Sequence, residues 1–265
     1  MPNRDLKIAL LPHAIIEGDV KSNLLEVGKR LKDIDSDTDL VVLPEMFNSG
    51  YFKNREKLLQ IAESNDGPTI SSVREWSDKF GFAIWGGFTA LEADNLFNRG
   101  FMCDPSGSIE FYDKRHLFRS GGEHELLTGG EYVSPTIDFK TWKLKMAICY
   151  DIRFPVWNRN IANRYDALIV PANWPHSRVF AWKHLLIARA IENQIYIAGC
   201  NREGSDAFGD YPSGDSFIFN CWGDDIAERR SDGIVYGHFD YKIFLNYREK
   251  FQPWKDADDF TINYD

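Results

Sequence analysis

The chain states one pattern twice, and that repetition limits its fold more than any other feature. Asp39-Leu-Val-Val-Leu-Pro44 returns as Asp166-Ala-Leu-Ile-Val-Pro171. Each is an aspartate, four apolar residues and a proline, the continuous apolar run of a strand covered on both faces. Around the first copy, residues 6–11 read as a strand. Val20, Leu24, Val27 and Leu31 recur at helical spacing and make 19–33 an amphipathic helix. A helix over 69–80 opens at Gly67-Pro68-Thr69, with Thr69 as its cap. A strand over 82–85 is stopped by Gly86-Gly87, and 97–104 with 109–113 form a hairpin around Asp104-Pro105-Ser106-Gly107. The second copy has the same order: a strand over 144–149, a helix over 155–164 with proline in its first turn, and a strand over 167–170. A long helix over 177–193, a strand over 195–199, and a hairpin of 216–221 with 226–230 around Trp222-Gly223-Asp224 complete it.

Two sheets of the same make, each with helices on one face, bury their other faces against each other. The expected fold is α/β, a four-layer α-β-β-α sandwich of two packed mixed sheets with outer helices, in a single domain over 1–265. The alternative is one ordinary α/β sheet with a chance likeness between halves. No Ser/Gly-rich linker divides the halves. Residues 115–143 join them, with glycines at 121–122 and 129–130, and a connection of that length is expected to be functional.

Composition removes several functions. With 31 basic and 40 acidic residues the formal charge is −9, which argues against nucleic-acid and anionic-membrane partners. Apolar runs such as 8–11, 82–85 and 167–170 fall far short of the ~18 residues of a membrane span. Arg4 and Lys7 precede no signal peptide, because Pro12 and His13 interrupt the apolar run. Cys103, Cys149, Cys200 and Cys221 lie far apart with no C-x-x-C, which suits a reducing cytoplasm and neither a zinc knuckle nor a disulfide scaffold. Cys103, Cys200 and Cys221 fall in expected strands as small hydrophobes. His13, His124, His176, His184 and His238 share no metal spacing with them, and His116 is a loop residue two past Lys114. Trp254 and the acidic stretch 256–259 cover either a partner subunit or the body of the same chain.

Chemistry in α/β sheets gathers where strands end at their carboxyl side, and three polar residues stand at such ends. Glu45 follows Val-Val-Leu-Pro, Lys114 follows Ile-Glu-Phe-Tyr-Asp, and Cys149 follows Lys-Met-Ala-Ile. Singly each is ordinary: a buried thiol, a solvated lysine, a carboxylate that caps or pairs. Together they make a hydrolytic set. A thiolate is a nucleophile, a carboxylate takes the thiol proton, and an ammonium favours the thiolate and stabilises an oxyanion.

Pro44-Glu45-Met46-Phe47, Asp113-Lys114-Arg115-His116-Leu117-Phe118 and Cys149-Tyr150-Asp151-Ile152-Arg153-Phe154-Pro155 resemble the three motifs of the nitrilase superfamily, the carbon–nitrogen hydrolases. The resemblance continues through Pro171-Ala172-Asn173-Trp174 and Ala188-Arg189-Ala190-Ile191-Glu192-Asn193 and covers nearly the whole chain. It implies an α-β-β-α sandwich, a homodimer or larger assembly, and no metal or organic cofactor. By position, Glu45 is then the general base, Lys114 the oxyanion stabiliser, Cys149 the nucleophile, and the Tyr150 N–H the second oxyanion donor. A further glutamate of the family matches Glu123 or Glu125. Glu123 is preferred for its distance to Gly129-Gly130.

Within the superfamily, Glu45-Met-Phe-Asn-Ser-Gly-Tyr51, the stretch 115–119 with Gly122-Glu-His-Glu125, and the cysteine motif look closest to omega-amidases. These hydrolyse the terminal amide of 2-oxoacid amides such as 2-oxoglutaramate and 2-oxosuccinamate. Such a substrate needs a cation at its far end. Arg153 is the first candidate, since a guanidinium fork matches a carboxylate, and Arg119 the second. Tyr51 donates its phenol to the same group, and Trp174 and Phe118 wall the pocket. The rival expectations are a nitrilase, an N-carbamoyl amidase or an aliphatic amidase with the same catalytic residues, and a catalytically silent scaffold protein.

Overall fold

The structure, a computed structural model, describes residues 5–258, 260 and 261. Arg4 and Asp259, named above, lie outside the described residues. The first half supplies β1 (Leu6–Leu10), β2 (Leu40–Val42), β3 (Ala83–Glu92), β4 (Asn95–Cys103) and β5 (Ile109–Asp113). The second supplies β6 (Thr136–Phe139), β7 (Trp142–Met146), β8 (Ala167–Ala172) and β9 (Tyr196–Asn201), a small hairpin of β10 (Gly204–Asp206) and β11 (Gly209–Tyr211), then β12 (Phe217–Phe219), β13 (Glu228–Arg229) and β14 (Val235–Phe239). One sheet runs β13-β14-β1-β2-β3-β4-β5 and the other β12-β9-β8-β7-β6. In each, the central strands are parallel: β1, β2 and β3 in the first, β7, β8 and β9 in the second.

The repeated aspartates explain the repeated wording. Asp39 donates its N–H to the Lys7 carbonyl (2.9 Å) and takes the Lys7 N–H on its carboxylate (2.8 Å). Asp166 does the same for Lys143, at 2.7 and 3.0 Å. Each locks the start of a central parallel pair.

Side-chain alternation along these strands builds two cores. Ala9, Val41 and Ile84 point outward against Val27 of α1 (Val20–Arg30) and Ile70 and Val73 of α3 (Pro68–Phe80), a helix that follows the shorter α2 (Arg55–Ile61). Ile8, Val42 and Trp85 point inward and meet Leu144, Met146 and Ile169 of the second sheet. The single-turn α4 (Glu123–Leu126) lies in the joining loop, and Trp182, Leu186 and Ala190 of α5 (Val179–Asn193) cover the far face of the second sheet. The layers are therefore helix, sheet, sheet, helix, and α6 (Tyr241–Lys250) adds Phe244 to the central core. The sheets approach so closely at Gly100 that a Cβ there would fall 2.2 Å from the Met146 sulfur.

Several local expectations fail for tertiary reasons. Gly86-Gly87 does not stop β3, which pairs through both glycines with Phe101 and Gly100. Thr69 is not the cap of α3. Gly67 occupies that position, and the Glu63 carboxylate takes the Thr69 N–H at 2.7 Å. Residues 155–164 form no α-helix. Asn158 donates its amide to the carbonyls of Asp151 (2.7 Å) and Phe154 (3.0 Å), and Asn160 donates its own to Tyr165 (2.8 Å), so side chains replace helical bonds. The chain turns back around Trp222-Gly223-Asp224 as expected, with an antiparallel bridge between Phe219 and Asp225, but the arms then part: β12 pairs with β9 in one sheet and β13 with β14 in the other. Cys103 and Cys200 lie in strands, whereas Cys221 lies in the turn after β12, and all are buried. The turn Pro253–Asp256 that holds Trp254 lies beside the turn Ile161–Asn163 of the same chain. No helix among the described residues is long and apolar enough to cross a membrane.

Candidate active site

Glu45 stands three residues past β2, Lys114 directly past β5, and Cys149 three residues past β7. The first two come from one sheet and the third from the other, so sheet packing brings them to one cavity. Tyr51, Phe118, Glu123, Tyr150, Arg153 and Trp174 line the same cavity. Arg119 does not; it is exposed.

Lys114 is only 2% exposed, and its ammonium sits between two carboxylates. Nζ donates to Glu45 Oε1 at 2.8 Å and to Glu123 Oε1 and Oε2 at 2.9 and 2.8 Å. Burial alone would lower the Lys114 pKa, but Glu123 and Glu45 outweigh it and hold the amine well above its ordinary range. Glu123 is 5% exposed and also accepts the Phe118 N–H at 2.6 Å. Burial raises its carboxyl, Lys114 pulls the other way, and Glu45 raises it again. The Glu125 side chain is 73% exposed, so of the two candidate glutamates only Glu123 enters the cluster. The loop reaches this position because Gly130, whose N–H bonds the Lys114 carbonyl at 2.9 Å, lies against β5. A Cβ on Gly130 would fall 2.1 Å from the Asp113 oxygen.

Glu45 is held by three donors. Oε1 accepts from Lys114 and from Asn98 Nδ2 (2.7 Å), and Oε2 accepts the backbone N–H of Asn173 (2.8 Å). The carbonyl of Asn173 faces the Cys149 sulfur at 4.0 Å. The Asn173 main chain thus touches both Glu45 and the thiol.

Cys149 has φ +46°, in the left-handed region that a side chain occupies at a cost of about 1–3 kcal/mol. It opens a 3-10 turn, Cys149–Arg153. Asp151 pins this turn: its carboxylate takes the N–H groups of Ile148 (3.1 Å) and His116 (2.9 Å) and the Tyr112 hydroxyl (2.9 Å). The outcome for the thiol differs from the expectation that a nearby ammonium would favour thiolate. Burial first, and the Glu45 charge second, push Cys149 well above its ordinary range, and Lys114 only partly opposes them. The Cys149 side chain therefore rests as a thiol, in the cavity that Glu45 also lines.

The remaining wall is aromatic and cationic. The Arg153 guanidinium carbon lies 4.9 Å from the Trp174 ring centre and 5.8 Å from that of Tyr150. Arg153 has no ion pair among the described residues. The Tyr51 hydroxyl and Asn173 Oδ1 are buried without a hydrogen-bond partner among the described residues. Burial, seconded by Glu123, raises the Tyr51 pKa, so the phenol keeps its proton for donation. Asn98, Asp151, Asn173, Arg178, Asp206, Phe208 and Tyr211 were not singled out from sequence as site residues. Asn173 and Asp151 fall inside quoted motifs, whereas Asn98 carries no local signal, being one residue of β4. Among the described residues no three His, Cys, Asp or Glu side chains gather as a metal-binding group.

The carbon–nitrogen hydrolase family model matches residues 7–242. The chain is 38% identical to omega-amidase YafV of Escherichia coli (strain K12) over 262 residues, 97% of this chain and 98% of the relative. It is 32% identical to the 2-oxoglutaramate amidase of Bacillus subtilis (strain 168), over 94% of this chain and 96% of that one. Among solved structures it resembles XC1258 of Xanthomonas campestris, a CN-hydrolase superfamily protein with an arsenic adduct in its active site. The TM-score is 0.92 at 34% identity, covering 98% of this chain and 100% of that one. Nit3 of Saccharomyces cerevisiae, a member of branch 10 of the nitrilase superfamily, superposes with a TM-score of 0.81 at 26% identity, covering 94% of each chain. Motifs, layered fold and relatives agree, and the chain belongs to the carbon–nitrogen hydrolase family of the nitrilase superfamily.

Proposed function

We propose that this hydrolase is an omega-amidase, releasing ammonia from the terminal amide of a small 2-oxo dicarboxylate monoamide through a thioester on Cys149. The observation that carries the reading is Arg153, a guanidinium in the Cys149 cavity with no ion pair among the described residues, laid over Trp174. Such a fork suits the far carboxylate of 2-oxoglutaramate or 2-oxosuccinamate. The names of the Escherichia coli and Bacillus subtilis relatives support the same substrate class.

In the proposed cycle Glu45 takes the Cys149 proton as sulfur attacks the amide carbon. Lys114 and the Tyr150 N–H hold the oxyanion, each such donor being worth about 2.7–4 kcal/mol in other enzymes. As the C–N bond breaks, Glu45 returns the proton to the departing nitrogen, and ammonia leaves. Water then attacks the thioester, giving its proton to Glu45. The C–S bond breaks, the thiol regains the proton, and the 2-oxo dicarboxylate departs. Glu123 fixes Lys114 throughout. Tyr51 offers its unpartnered hydroxyl to the substrate, and Phe118 and Trp174 wall the acyl chain.

One folded unit over 1–265 carries this chemistry in our reading, in the cytoplasm, where its four free cysteines are stable. A second copy of the chain is the proposed partner. On α5, Phe180 and Ile191 are exposed on one stripe, and Ile191 neighbours Gly223, beside the exposed Trp222. Phe180→Asp with Ile191→Asp should turn a sedimenting dimer into a monomer.

The functional test measures ammonia release from 2-oxosuccinamate, a nitrile, a carbamoyl compound and propionamide, with intact mass after mixing. An acyl adduct on Cys149 and preference for the 2-oxoacid amide are expected. Turnover retained in Cys149→Ala, or a preference for nitrile or carbamoyl compounds, would sink the reading.

A further inference from the structure

We infer that Arg178, at the cavity mouth, is a second specificity-determining guanidinium that shares the substrate's far carboxylate with Arg153. This rests on the reading above that the substrate is a carboxylate-bearing amide.

The charges lining the cavity are Glu45, Lys114, Glu123, Asp206, Arg153 and Arg178. Four of these are already engaged. Lys114 is bonded by Glu45 and Glu123. Asp206 pairs with Arg202 at 2.7 Å, both side chains at most 4% exposed, and accepts the N–H groups of Phe208 and Gly209 as well. What remains is two guanidiniums, neither with an ion pair among the described residues. In a chain of formal charge −9, two unneutralised cations in one cavity mark an anion site.

The two also belong to one wall. Arg178 lies over the Phe118 ring at 5.2 Å and Arg153 over Tyr150 at 5.8 Å, and the Phe118 and Tyr150 rings are 5.1 Å apart. Trp174, whose ring carries Arg153, donates its indole N–H to the Arg178 carbonyl at 2.8 Å. The residue bearing one cation thus fixes the platform of the other. Arg178 is exposed and Arg153 half-buried, so Arg178 meets the substrate first. A cation at such a rim acts on capture and salt sensitivity more than on the chemical step. Neither guanidinium is needed for a neutral amide.

The test compares the wild type with Arg178→Gln and Arg178→Lys on 2-oxosuccinamate and propionamide at low and high salt. The kcat/KM ratio of the acid over the neutral amide should fall roughly tenfold in Arg178→Gln, the size of one charge-assisted contact, and through KM. The salt dependence of KM should weaken in Arg178→Gln and persist in Arg178→Lys. The Kd of 2-oxosuccinamate for the Cys149→Ala protein should rise in step when Arg178→Gln is added. If the wild type prefers the acid amide and Arg178→Gln keeps both ratio and salt dependence, Arg178 has no such role and the amidase reading stands. If the wild type shows no preference for the acid amide, both inferences fall together.

Discussion

Asp151 and His116 meet twice: the carboxylate Oδ1 accepts the His116 backbone N–H at 2.9 Å and lies 2.8 Å from its ring Nδ1. This joins the loop after Lys114 to the turn that opens with Cys149, and so ties the two sheets at the site. The His116 ring stacks on Phe154 with centres 3.6 Å apart, which closes the tie. Asp151→Asn replaces an acceptor by a donor facing donors. It should destabilise the protein by about 2–4 kcal/mol in denaturant unfolding and lower kcat in parallel. Unchanged midpoint and turnover would show that the Cys149 turn holds without it.

Thiol titration separates the neighbours of Cys149. Burial and then Glu45 raise the thiol, and Lys114 lowers it. Glu45→Gln removes a raising charge, so thiolate should appear at lower pH than in the wild type. Lys114→Met removes a lowering charge, so thiolate should appear at higher pH. Iodoacetamide rates against pH, read by mass spectrometry on the Cys149 peptide, give the order. Glu45→Gln should nonetheless lose about 10²–10⁴ in kcat, because the proposed cycle uses Glu45 as its general base.

Glu123 and Glu125, two residues apart in the joining loop, differ sharply. Glu123→Gln weakens both bonds to Lys114 and should cut kcat about tenfold or more. Glu125→Gln alters an exposed side chain and should stay within about twofold of the wild type. Equal effects would contradict the placement of Lys114 by Glu123.

Lys145 is 5% exposed on β7, with its ammonium on the Trp157 carbonyl at 3.0 Å. Burial lowers its pKa from 10.5 to about 8. Below pH 8 the amine is charged both folded and unfolded, and the fold bears the desolvation cost. Between 8 and 10.5 the folded form sheds the proton first, so the Lys145 contribution to stability rises with pH. Lys145→Met should therefore stabilise by about 1–3 kcal/mol at pH 7, with the gain shrinking above pH 8. Urea unfolding at pH 7 and 9.5 measures both; a loss at pH 7 would mean that the Trp157 bond outweighs desolvation.

Much of the frame was legible in the residues. The apolar runs of β2 and β8, the helical spacing of α1 and the aspartates repeated at 39 and 166 are local features, and local features survive folding because periodicity decides which face is buried. Residues 155–164 carried a helical pattern and still formed none, since Asn158 and Asn160 found carbonyls that exist only once the chain has turned.

From sequence alone came the identities of Glu45, Lys114 and Cys149 and their places at strand ends, because alternation and apolar runs fix where strands stop. Tertiary structure alone decided the rest. Glu123 and Glu125 are two residues apart on one helical turn, and positions so spaced face different ways; only packing chose which carboxylate reached Lys114. The same packing set the Cys149 thiol above its ordinary range, because desolvation and the Glu45 charge depend on distances across two sheets that no stretch of chain contains.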